Sequence, residues 1–239
     1  AKPQVLIDIS RLTELSGIRQ TGGAIEIGAG TVHSEVAASA LLRDVCPVLA
    51  ETAAEIGDPQ VRNKGTLGGS LAHADPSADY PATMIALDAE IMIRGTQGSR
   101  SVKAADFFID LFTVDLAPNE LITGVRFAPV RSAAYAKLHQ RASHFAIVGV
   151  AAALGVESGV IKSARVGLTG ALSHAVRLSS VEQALQGKQT SAATLDAAAK
   201  VAAQGLDGLN ADMHASAEYR KDMIGVFTRR ALEKSLSRG

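Results

Sequence analysis

Apolar and polar residues alternate in several short segments of the first half of the chain, which is the pattern of half-buried β-strands. The predicted strands lie at residues 5–9, 24–27, 89–94, 99–102 and 120–128. Residues 5–9 read Val-Leu-Ile-Asp-Ile, an almost continuous apolar run, and therefore predict a buried strand. Gly22 and Gly23, and the segment 95–98, supply glycines for two hairpin turns.

Segments with a helical spacing of apolar residues separate these strands. They cover residues 34–38, 47–56, 82–87 and 106–111, with a strand as the alternative for 82–87. Ser34 is the candidate N-cap of the first of them. Pro47 suits the first turn of the second helix, and Gly57 follows its end.

The pattern changes near residue 130, after which strands and helices become longer. Strands are predicted at residues 135–140, 146–156 and 160–172, and helices at residues 180–186, 191–204 and 216–236. Strands and helices do not alternate as regularly as in a doubly wound sheet. We therefore predict an α+β fold of two domains, residues 1–130 and residues 131–239.

The composition excludes several classes of function. The 239 residues include 24 Lys and Arg and 24 Asp and Glu, so the formal net charge is zero. Nucleic-acid binders depend on an excess of positive charge, and this chain has none. No apolar run reaches the roughly 18 residues of a membrane span. We expect neither a nucleic acid nor a membrane as a partner.

Cysteine usage limits the chemistry further. The single cysteine, Cys46, cannot form a disulfide within the chain or build a cysteine-ligated zinc or iron–sulfur site. A reducing compartment, the cytoplasm, is therefore expected. Cys46 precedes Pro47 at a predicted helix start, and we expect it to be a packed structural thiol.

Residues 57–81 carry the strongest candidate chemistry, and their content of Gly, Asp and Asn predicts a loop. At the centre of this segment lies the motif Thr66, Leu67, Gly68, Gly69, Ser70. Paired glycines let the backbone approach a ligand and aim successive N–H groups at one point, and the flanking hydroxyls suit phosphate oxygens. Asp79 follows and has the chemistry to accept hydrogen bonds from a ribose. The combination favours a nucleotide diphosphate held by neutral donors.

Three other interpretations of this segment stay open on the residues alone. The motif is also typical of an ordinary glycine-rich turn, and neither the Rossmann fingerprint nor the P-loop pattern is present. His73, Asp75 and Asp79 have metal-ligating side chains, although no second histidine cluster supports them. Ser70, His73 and Asp75 have the composition of a catalytic triad without a nucleophile elbow. We predict no catalytic residue and no metal site in this chain.

Residues 60–76, Gln-Val-Arg-Asn-Lys-Gly-Thr-Leu-Gly-Gly-Ser-Leu-Ala-His-Ala-Asp-Pro, strongly resemble the medium, FAD-binding subunit of molybdenum hydroxylases. That family includes aerobic carbon monoxide dehydrogenase and bacterial xanthine dehydrogenase relatives. Further similar segments lie at residues 5–9, 12–18, 87–90, 106–108, 141–146 and 216–220. The resemblance therefore covers essentially the whole chain.

The resemblance implies a fold and a set of cofactor-binding residues. Residues 1–130 look like most of an FAD-binding domain of the type shared with p-cresol methylhydroxylase and vanillyl-alcohol oxidase (PCMH-type). Residues 131–239 look like the carbon monoxide dehydrogenase flavoprotein C-terminal domain. In the family, the motif Thr66, Leu67, Gly68, Gly69, Ser70 wraps the FAD diphosphate, and Asp79 contacts FAD. The family also places Ile122 and Lys137 near the flavin, where an apolar side chain packs on the isoalloxazine and a cation stabilises its reduced anion.

The chain departs from the family pattern in two places. Family members carry a further subdomain ahead of residues 5–9, with an Ala-Gly-Gly-x-Ser loop that completes the diphosphate site, and no such loop occurs here. Because the sequence also begins at Ala1 without an initiator Met, we expect a family member that lacks its N-terminal portion. The second departure is His144, which stands where many relatives have Asp.

The function implied by the resemblance is that of an electron-transfer flavoprotein subunit of an oxidoreductase. FAD in this chain would take electrons from [2Fe–2S] clusters in a small partner subunit and pass them to an external acceptor. A large partner subunit would carry the molybdenum–pterin cofactor, and the assembly is expected to be a dimer of heterotrimers. Two alternatives stay open: a stand-alone flavin reductase of the same fold, and an FAD-free structural fragment of the same complex.

Overall fold

Two antiparallel sheets organise the chain in the computed structural model, which describes residues 3–239. The first sheet has five strands in the order β1-β2-β7-β3-β4, and the second has four in the order β11-β10-β9-β8. The strands of the first sheet are β1 (Ile18–Thr21), β2 (Ala24–Gly28), β3 (Glu90–Gly95), β4 (Gly98–Lys103) and β7 (Glu120–Phe127). A small hairpin of β5 (Phe108–Asp110) and β6 (Thr113–Val114) precedes β7.

The second sheet contains β8 (Ala133–His139), β9 (Ala146–Glu157), β10 (Val160–Thr169) and β11 (Val176–Arg177). The turn between β9 and β10 uses Ser158 and Gly159, which have φ values of 51° and 76°. Such left-handed conformations match the twist of a tight hairpin, as the glycine in the sequence predicts.

Helices fill the connections and cover the sheets. They are α1 (His33–Ala38), α2 (Ala40–Val45), α3 (Pro47–Ala54), α4 (Pro59–Arg62), α5 (Leu67–His73), α6 (Tyr80–Ala86), α7 (Ala104–Phe107), α8 (Ser179–Leu185), α9 (Ala192–Lys200) and α10 (Ala217–Leu236). Side-chain oxygens cap the N-termini of α4, α5, α9 and α10, from Asp58, Thr66, Ser191 and Ser216 respectively. Each cap accepts a hydrogen bond from an otherwise unpaired N–H group of the first turn.

The second sheet is buried on both faces. Tyr135, Ala151 and Ala153 point into the apolar core of the first half of the chain. Val150 and Leu154 point the opposite way, into a second core that they form with α8, α9 and α10. Strands covered on both sides lose the alternation of polar and apolar residues, which explains the long apolar run of β9.

Helix α6 joins the two halves of the chain. It precedes the second sheet by more than one element in sequence, yet it packs against β9 and β10, and all of its residues are buried. Gly167 on β10 faces this helix, because a Cβ there would lie 2.2 Å from the carbonyl oxygen of Ala82. Glycine is therefore required for the close approach of helix and strand.

The outer face of the first sheet carries a row of alternating charges, one on each strand. Arg19, Glu26, Arg126, Glu90 and Lys103 follow one another as directly opposed residues across β1, β2, β7, β3 and β4. Ion-pair distances are 2.9 Å for Arg19–Glu26, 2.8 Å for Arg126–Glu90 and 3.7 Å for Lys103–Glu90. Exposed pairs of this kind contribute about 0–1 kcal/mol each.

The predicted α+β class is confirmed, as are strands β2, β3, β4 and β7 of the first sheet, strands β8, β9 and β10 of the second, and the helix that begins at Pro47. Strands β1 and β11 are not among the predicted strands. Residues 82–87 adopt the helical alternative, and Cys46 is fully buried as expected. Within residues 3–239, no helix combines the length and the apolar composition that a bilayer crossing requires. The first two residues of the predicted N-terminal domain, Ala1 and Lys2, lie outside the described residues.

Three local predictions are wrong. Residues 5–9 form no strand, and Val5 and Ile7 are 74% and 81% exposed. An extended segment becomes a strand only when another strand accepts its backbone hydrogen bonds, and no described strand pairs with this one. Residues 106–111 divide between the end of α7 and the strand β5. Helix α1 begins one residue before Ser34, so Ser34 is not its N-cap.

Candidate functional site

The motif from Thr66 to Ser70 forms the beginning of helix α5 rather than the predicted open loop. Thr66 is the N-cap, and its Oγ1 accepts a hydrogen bond of 3.1 Å from the N–H of Gly69. The helix ends at Ala74, which has a φ of 49° in the left-handed region. Two short helices, α4 and α5, thus occupy a segment whose glycines indicate a loop, because Asp58 and Thr66 supply caps that start them.

Two backbone N–H groups of the motif hold α5 in place. The N–H of Leu67 donates to the carbonyl of Thr31 at 3.0 Å, and that of Gly68 donates to the carbonyl of Ala29 at 2.8 Å. A Cβ on Gly68 would lie 2.4 Å from the Cβ of Ala29, so glycine is needed there for packing. The expectation that the paired glycines direct their N–H groups at a ligand is therefore wrong for Gly68.

One side of helix α5 borders a cavity of about 590 Å³, here called the apolar cavity. Helix α5 contributes Gly68, Gly69 and Ala72, and the capping residue Thr66 also lines the cavity. The remaining walls are largely aliphatic and include Leu15, Ala29, Val32, Leu116, Leu121 and Ile122. This volume lies within the range of sites that bind small molecules and cofactors.

The other side of helix α5 borders a second cavity of about 680 Å³, here called the polar cavity. It is lined by several hydroxyl, carboxyl and imidazole groups, those of Ser70, His73, Asp75, Ser77, Asp79, Ser143, Asp212 and His214. Its walls come from both halves of the chain, since Ser143 and Asp212 belong to the second half. The motif therefore lies between two cavities, and the one here called polar differs from the other mainly in its larger number of carboxyl and imidazole groups.

Asp79 forms a buried ion pair with Lys137. The Nζ of Lys137 donates to both carboxylate oxygens, at 3.0 and 3.1 Å, and the hydroxyl of Tyr135 donates to Asp79 Oδ1 at 2.6 Å. Lys137 also donates to the carbonyls of Glu55 at 2.8 Å and His144 at 2.7 Å. The Lys137 and Asp79 side chains are only 2% and 5% exposed, so this is a fixed internal charge pair.

Burial, with a smaller contribution from the nearby Glu55, raises the pKa of Asp79 from 3.8 to about 6. Lys137 and Tyr135 act in the opposite direction and hold the pKa of Asp79 below what burial alone would produce. At neutral pH the carboxyl group is therefore ionised, although it lies in the protein interior.

Replacing Asp79 by asparagine is expected to remove a pH-dependent part of the stability. Because the folded pKa of about 6 exceeds the unfolded value of 3.8, the folded chain holds a proton that the unfolded chain releases between those pH values. The stability that this bound proton contributes is complete below the unfolded pKa and is lost as the pH rises through the folded pKa. In urea unfolding, the free-energy difference between wild type and Asp79→Asn should fall over that interval with a slope of up to about 1.4 kcal/mol per pH unit. A difference that does not vary with pH would contradict the prediction.

The backbone of His144 lies beside this ion pair, although the residue is exposed. It has a φ of 60°, its carbonyl accepts from Lys137, and its ring lies 5.4 Å from that of His139. Its Nδ1 is 3.3 Å from the carbonyl oxygen of Gly57. These residues, with Lys137, line a third cavity of about 670 Å³. His144 therefore helps to fix Lys137 through its backbone.

The structure separates the predicted cofactor-binding residues into groups. Thr66, Gly68, Gly69 and Ile122 line the apolar cavity, and Ser70 and Asp79 line the polar one. Leu67 is fully buried in the core. Lys137 pairs with Asp79 but lines the third cavity, so Ile122 and Lys137 do not border one common space.

Sequence reasoning missed Tyr135 as part of this site. The available signal was the two-residue spacing of Tyr135 and Lys137 on a strand, which places both side chains on one face. The structure does not support the alternative of a metal site. His73 Nε2 lies 4.0 Å from Asp75 Oδ2. Among residues 3–239, no group of three His, Cys, Asp or Glu residues could hold an ion.

The geometry fits an elongated dinucleotide such as FAD. Gly69 lies at the boundary of the apolar cavity, where a Cβ would be 2.9 Å from Thr66 Oγ1 and would narrow the space beside the hydroxyl. The hydroxyls of Thr66 and Ser70 lie between two cavities, each large enough for a ring system. Such an arrangement suits a diphosphate flanked by two aromatic groups.

Two family models match this chain. The family model described as "FAD binding domain in molybdopterin dehydrogenase" matches residues 1–130. The model described as "CO dehydrogenase flavoprotein C-terminal domain" matches residues 133–235.

Individual relatives match along the whole chain. The 6-hydroxypseudooxynicotine dehydrogenase complex subunit alpha of Paenarthrobacter nicotinovorans is 36% identical over 242 residues, covering 100% of this chain and 81% of that protein. The carbon monoxide dehydrogenase medium chain of Hydrogenophaga pseudoflava is 35% identical over 241 residues, covering 100% and 84%. A solved structure of the Hydrogenophaga pseudoflava carbon monoxide dehydrogenase lacking the Mo-pyranopterin moiety matches with a TM-score of 0.95 and 36% identity, covering 100% of this chain and 84% of the other.

Proposed function

The chain belongs to the FAD-binding medium subunits of the molybdenum hydroxylase family, and we propose that it binds FAD and transfers electrons within an oxidoreductase complex. The observation that carries this proposal is the position of the Thr66–Ser70 motif between two cavities at the start of α5. The two cavities would then hold the two ends of one dinucleotide.

Each residue of the site has a definite task in this proposal. The diphosphate would be held by the hydroxyls of Thr66 and Ser70. Gly69 would contribute the space that its missing side chain leaves. Ile122 would pack on a ring in the apolar cavity, and Asp79 would accept a hydrogen bond in the polar one. Leu67 and Gly68 act through packing, since both are buried.

Bound FAD supplies the capacity to accept and release electrons one or two at a time. The protein contributes a rigid, partly dry environment and a fixed pair of charges. Lys137 keeps its position because Asp79 and the carbonyls of Glu55 and His144 occupy its three N–H donors. A lysine held in this way provides a positive charge beside the site without being free to reorient.

The proposal extends to the partners. Several relatives are named as subunits of dehydrogenase complexes, and a single buried cysteine cannot ligate an iron–sulfur cluster here. We therefore infer a small partner subunit with [2Fe–2S] clusters and a large one with the molybdenum–pterin cofactor, arranged as a dimer of heterotrimers in the cytoplasm. Residues 1–130 would bind most of the FAD, and residues 131–239 would complete the site.

Removal of the α5 cap tests the cofactor site. Thr66→Ala and Ser191→Ala each delete a hydroxyl that caps a helix, and each is expected to lower the unfolding free energy by about 1 kcal/mol. Only Thr66→Ala should also weaken FAD binding, by about tenfold, because only Thr66 borders a cavity beside the motif. Quenching of FAD fluorescence on titration with each protein gives the dissociation constants.

The purified complex provides the decisive control. If the chain carries FAD in a complex that also contains molybdenum and iron in stoichiometric amounts, the proposed function holds. A complex that contains both metals but no flavin would favour the FAD-free structural alternative. A chain that binds FAD and reduces a substrate alone, without either metal, would favour the stand-alone reductase.

A further inference from the structure

We propose that Tyr135 is a positioning residue for Asp79, and that Gly149 is required to give the Tyr135 hydroxyl its place. The inference rests on the proposed function, in which Asp79 contacts FAD. It concerns residues of the second half of the chain, which act on a binding residue of the first half.

Tyr135 and Lys137 meet on one carboxylate. They lie two residues apart on β8, so their side chains leave the same face of the sheet. Tyr135 donates to Asp79 Oδ1 at 2.6 Å, and Lys137 donates to Oδ1 at 3.0 Å and to Oδ2 at 3.1 Å. Oδ1 thus has two donors and Oδ2 has one, which leaves Oδ2 with more capacity to accept a hydrogen bond from a ligand in the polar cavity.

Gly149 provides the space for the Tyr135 hydroxyl. It lies on β9, directly opposite Lys137 in the sheet register. A Cβ on Gly149 would be 2.2 Å from the Tyr135 hydroxyl oxygen, 3.0 Å from its Cζ and 2.9 Å from Thr169 Cγ2. Any side chain there would therefore displace the phenol from Asp79, which explains why a glycine interrupts the apolar run of β9.

The hydrogen bond matters because Asp79 is ionised in a poorly solvated place. The groups that face it are Lys137 and Tyr135 on β8, Glu55 at the end of α3 and the adjacent Tyr80 on α6. Tyr135 lowers the pKa of Asp79, against the rise caused by burial. Loss of the phenol hydroxyl should raise that pKa and release the carboxylate from its orientation.

Tyr80 is a matched control. Like Tyr135, it is a fully buried tyrosine close to Asp79. Its hydroxyl has no hydrogen-bond partner among residues 3–239. Tyr80→Phe therefore removes the same atom from the same neighbourhood without removing a bond to the carboxylate.

The first measurement uses the cofactor-free chain. Carbon-13 NMR of the aspartate carboxyl groups, with Asp79 assigned through Asp79→Asn, should give a higher Asp79 midpoint in Tyr135→Phe than in wild type. The midpoint in Tyr80→Phe should be unchanged. An unchanged midpoint in Tyr135→Phe would overturn the inference whether or not the chain binds FAD.

The second measurement uses FAD titrations from about pH 4.5 to pH 7.5, a range centred on the Asp79 pKa of about 6. Tyr135→Phe should weaken FAD binding about tenfold at neutral pH, and Tyr80→Phe should change it less than about twofold. Gly149→Ala should resemble Tyr135→Phe, and the double variant should lose much less than the product of the two single losses, since both changes break one contact.

The outcomes separate the two hypotheses. If wild type binds no FAD alone or in its complex, the proposed function fails. If wild type binds FAD and Tyr135→Phe behaves like Tyr80→Phe, the proposed function stands and the role of Tyr135 is refuted. If the double variant loses FAD affinity by the product of the losses in Gly149→Ala and Tyr135→Phe, the role of Gly149 is refuted.

Discussion

Replacing Arg220 by methionine is expected to lower the free energy of unfolding by about 3–5 kcal/mol, the largest loss of any single substitution considered. The guanidinium group of Arg220 is 2% exposed and binds three acceptors from separate segments. It donates to the carbonyl of Ile147 at the start of β9, to that of Gly170 at 2.9 Å, and to Asp212 Oδ2 at 2.6 Å. Methionine fills a similar volume but removes the Arg220 donor from the Ile147 carbonyl and leaves the Gly170 carbonyl with only the 3.5 Å contact of Asn210 Nδ2.

Urea unfolding followed by circular dichroism measures this loss. Arg229→Ala serves as the control, since the half-buried Arg229 makes ion pairs with Asp196 and Glu233, whose side chains are exposed. That change should lower the stability by less than about 1 kcal/mol. Equal losses in the two variants would show that the buried network around Arg220 does not have the proposed structural role.

Alanine at position 68 is expected to reduce FAD affinity by at least about tenfold, which corresponds to ~1.4 kcal/mol. The new methyl group would lie 2.4 Å from the Cβ of Ala29 and 2.9 Å from its Cα and carbonyl oxygen. Helix α5 must then move away from the segment that holds it, and the two cavities on its sides change shape. Overpacking of this kind also lowers stability by about 1–3 kcal/mol.

A second substitution tests whether this clash is the cause. Ala29→Gly removes the methyl group nearest to the new one, so the pair Ala29→Gly and Gly68→Ala should recover part of the affinity and part of the stability. The recovery should be incomplete because the backbone atoms of residue 29 remain close. No recovery, measured by FAD titration and urea unfolding, would show that Gly68 acts in another way.

The regular parts of the fold could be predicted from the sequence because their burial is local and periodic. Strands β2, β3 and β7 have one face toward the core and one toward water, so their residues alternate. Strand β9 is covered on both faces and appears in the sequence as a long apolar run that only Gly149 and Gly155 interrupt. Residues 5–9 have the same composition as a strand but find no partner strand, and composition alone does not reveal that difference.

The site could be predicted only in part. The Thr66–Ser70 motif is identified by its composition and by its resemblance to a family, but its helical conformation depends on the Thr66 cap and on backbone bonds to residues 29 and 31. The contact of Asp79 with Tyr135 and Lys137 joins residues 56 and 58 positions apart in the chain. Long-range contacts of this kind leave no periodic signal, so only the resemblance connected Asp79 with Lys137.

The position of α6 has a consequence for the order of folding during synthesis. Its seven buried residues, Tyr80 to Ala86, leave the ribosome well before β9 and β10, the strands that cover them. Until about residue 169 has emerged, the side of this helix that faces β9 and β10 has no native covering, although α3, α5 and α7 contact its other sides. Domains otherwise tend to fold in order from the N-terminus. We therefore expect the nascent first half of this chain to expose an apolar helix face to aggregation or chaperone binding until the second sheet has been made.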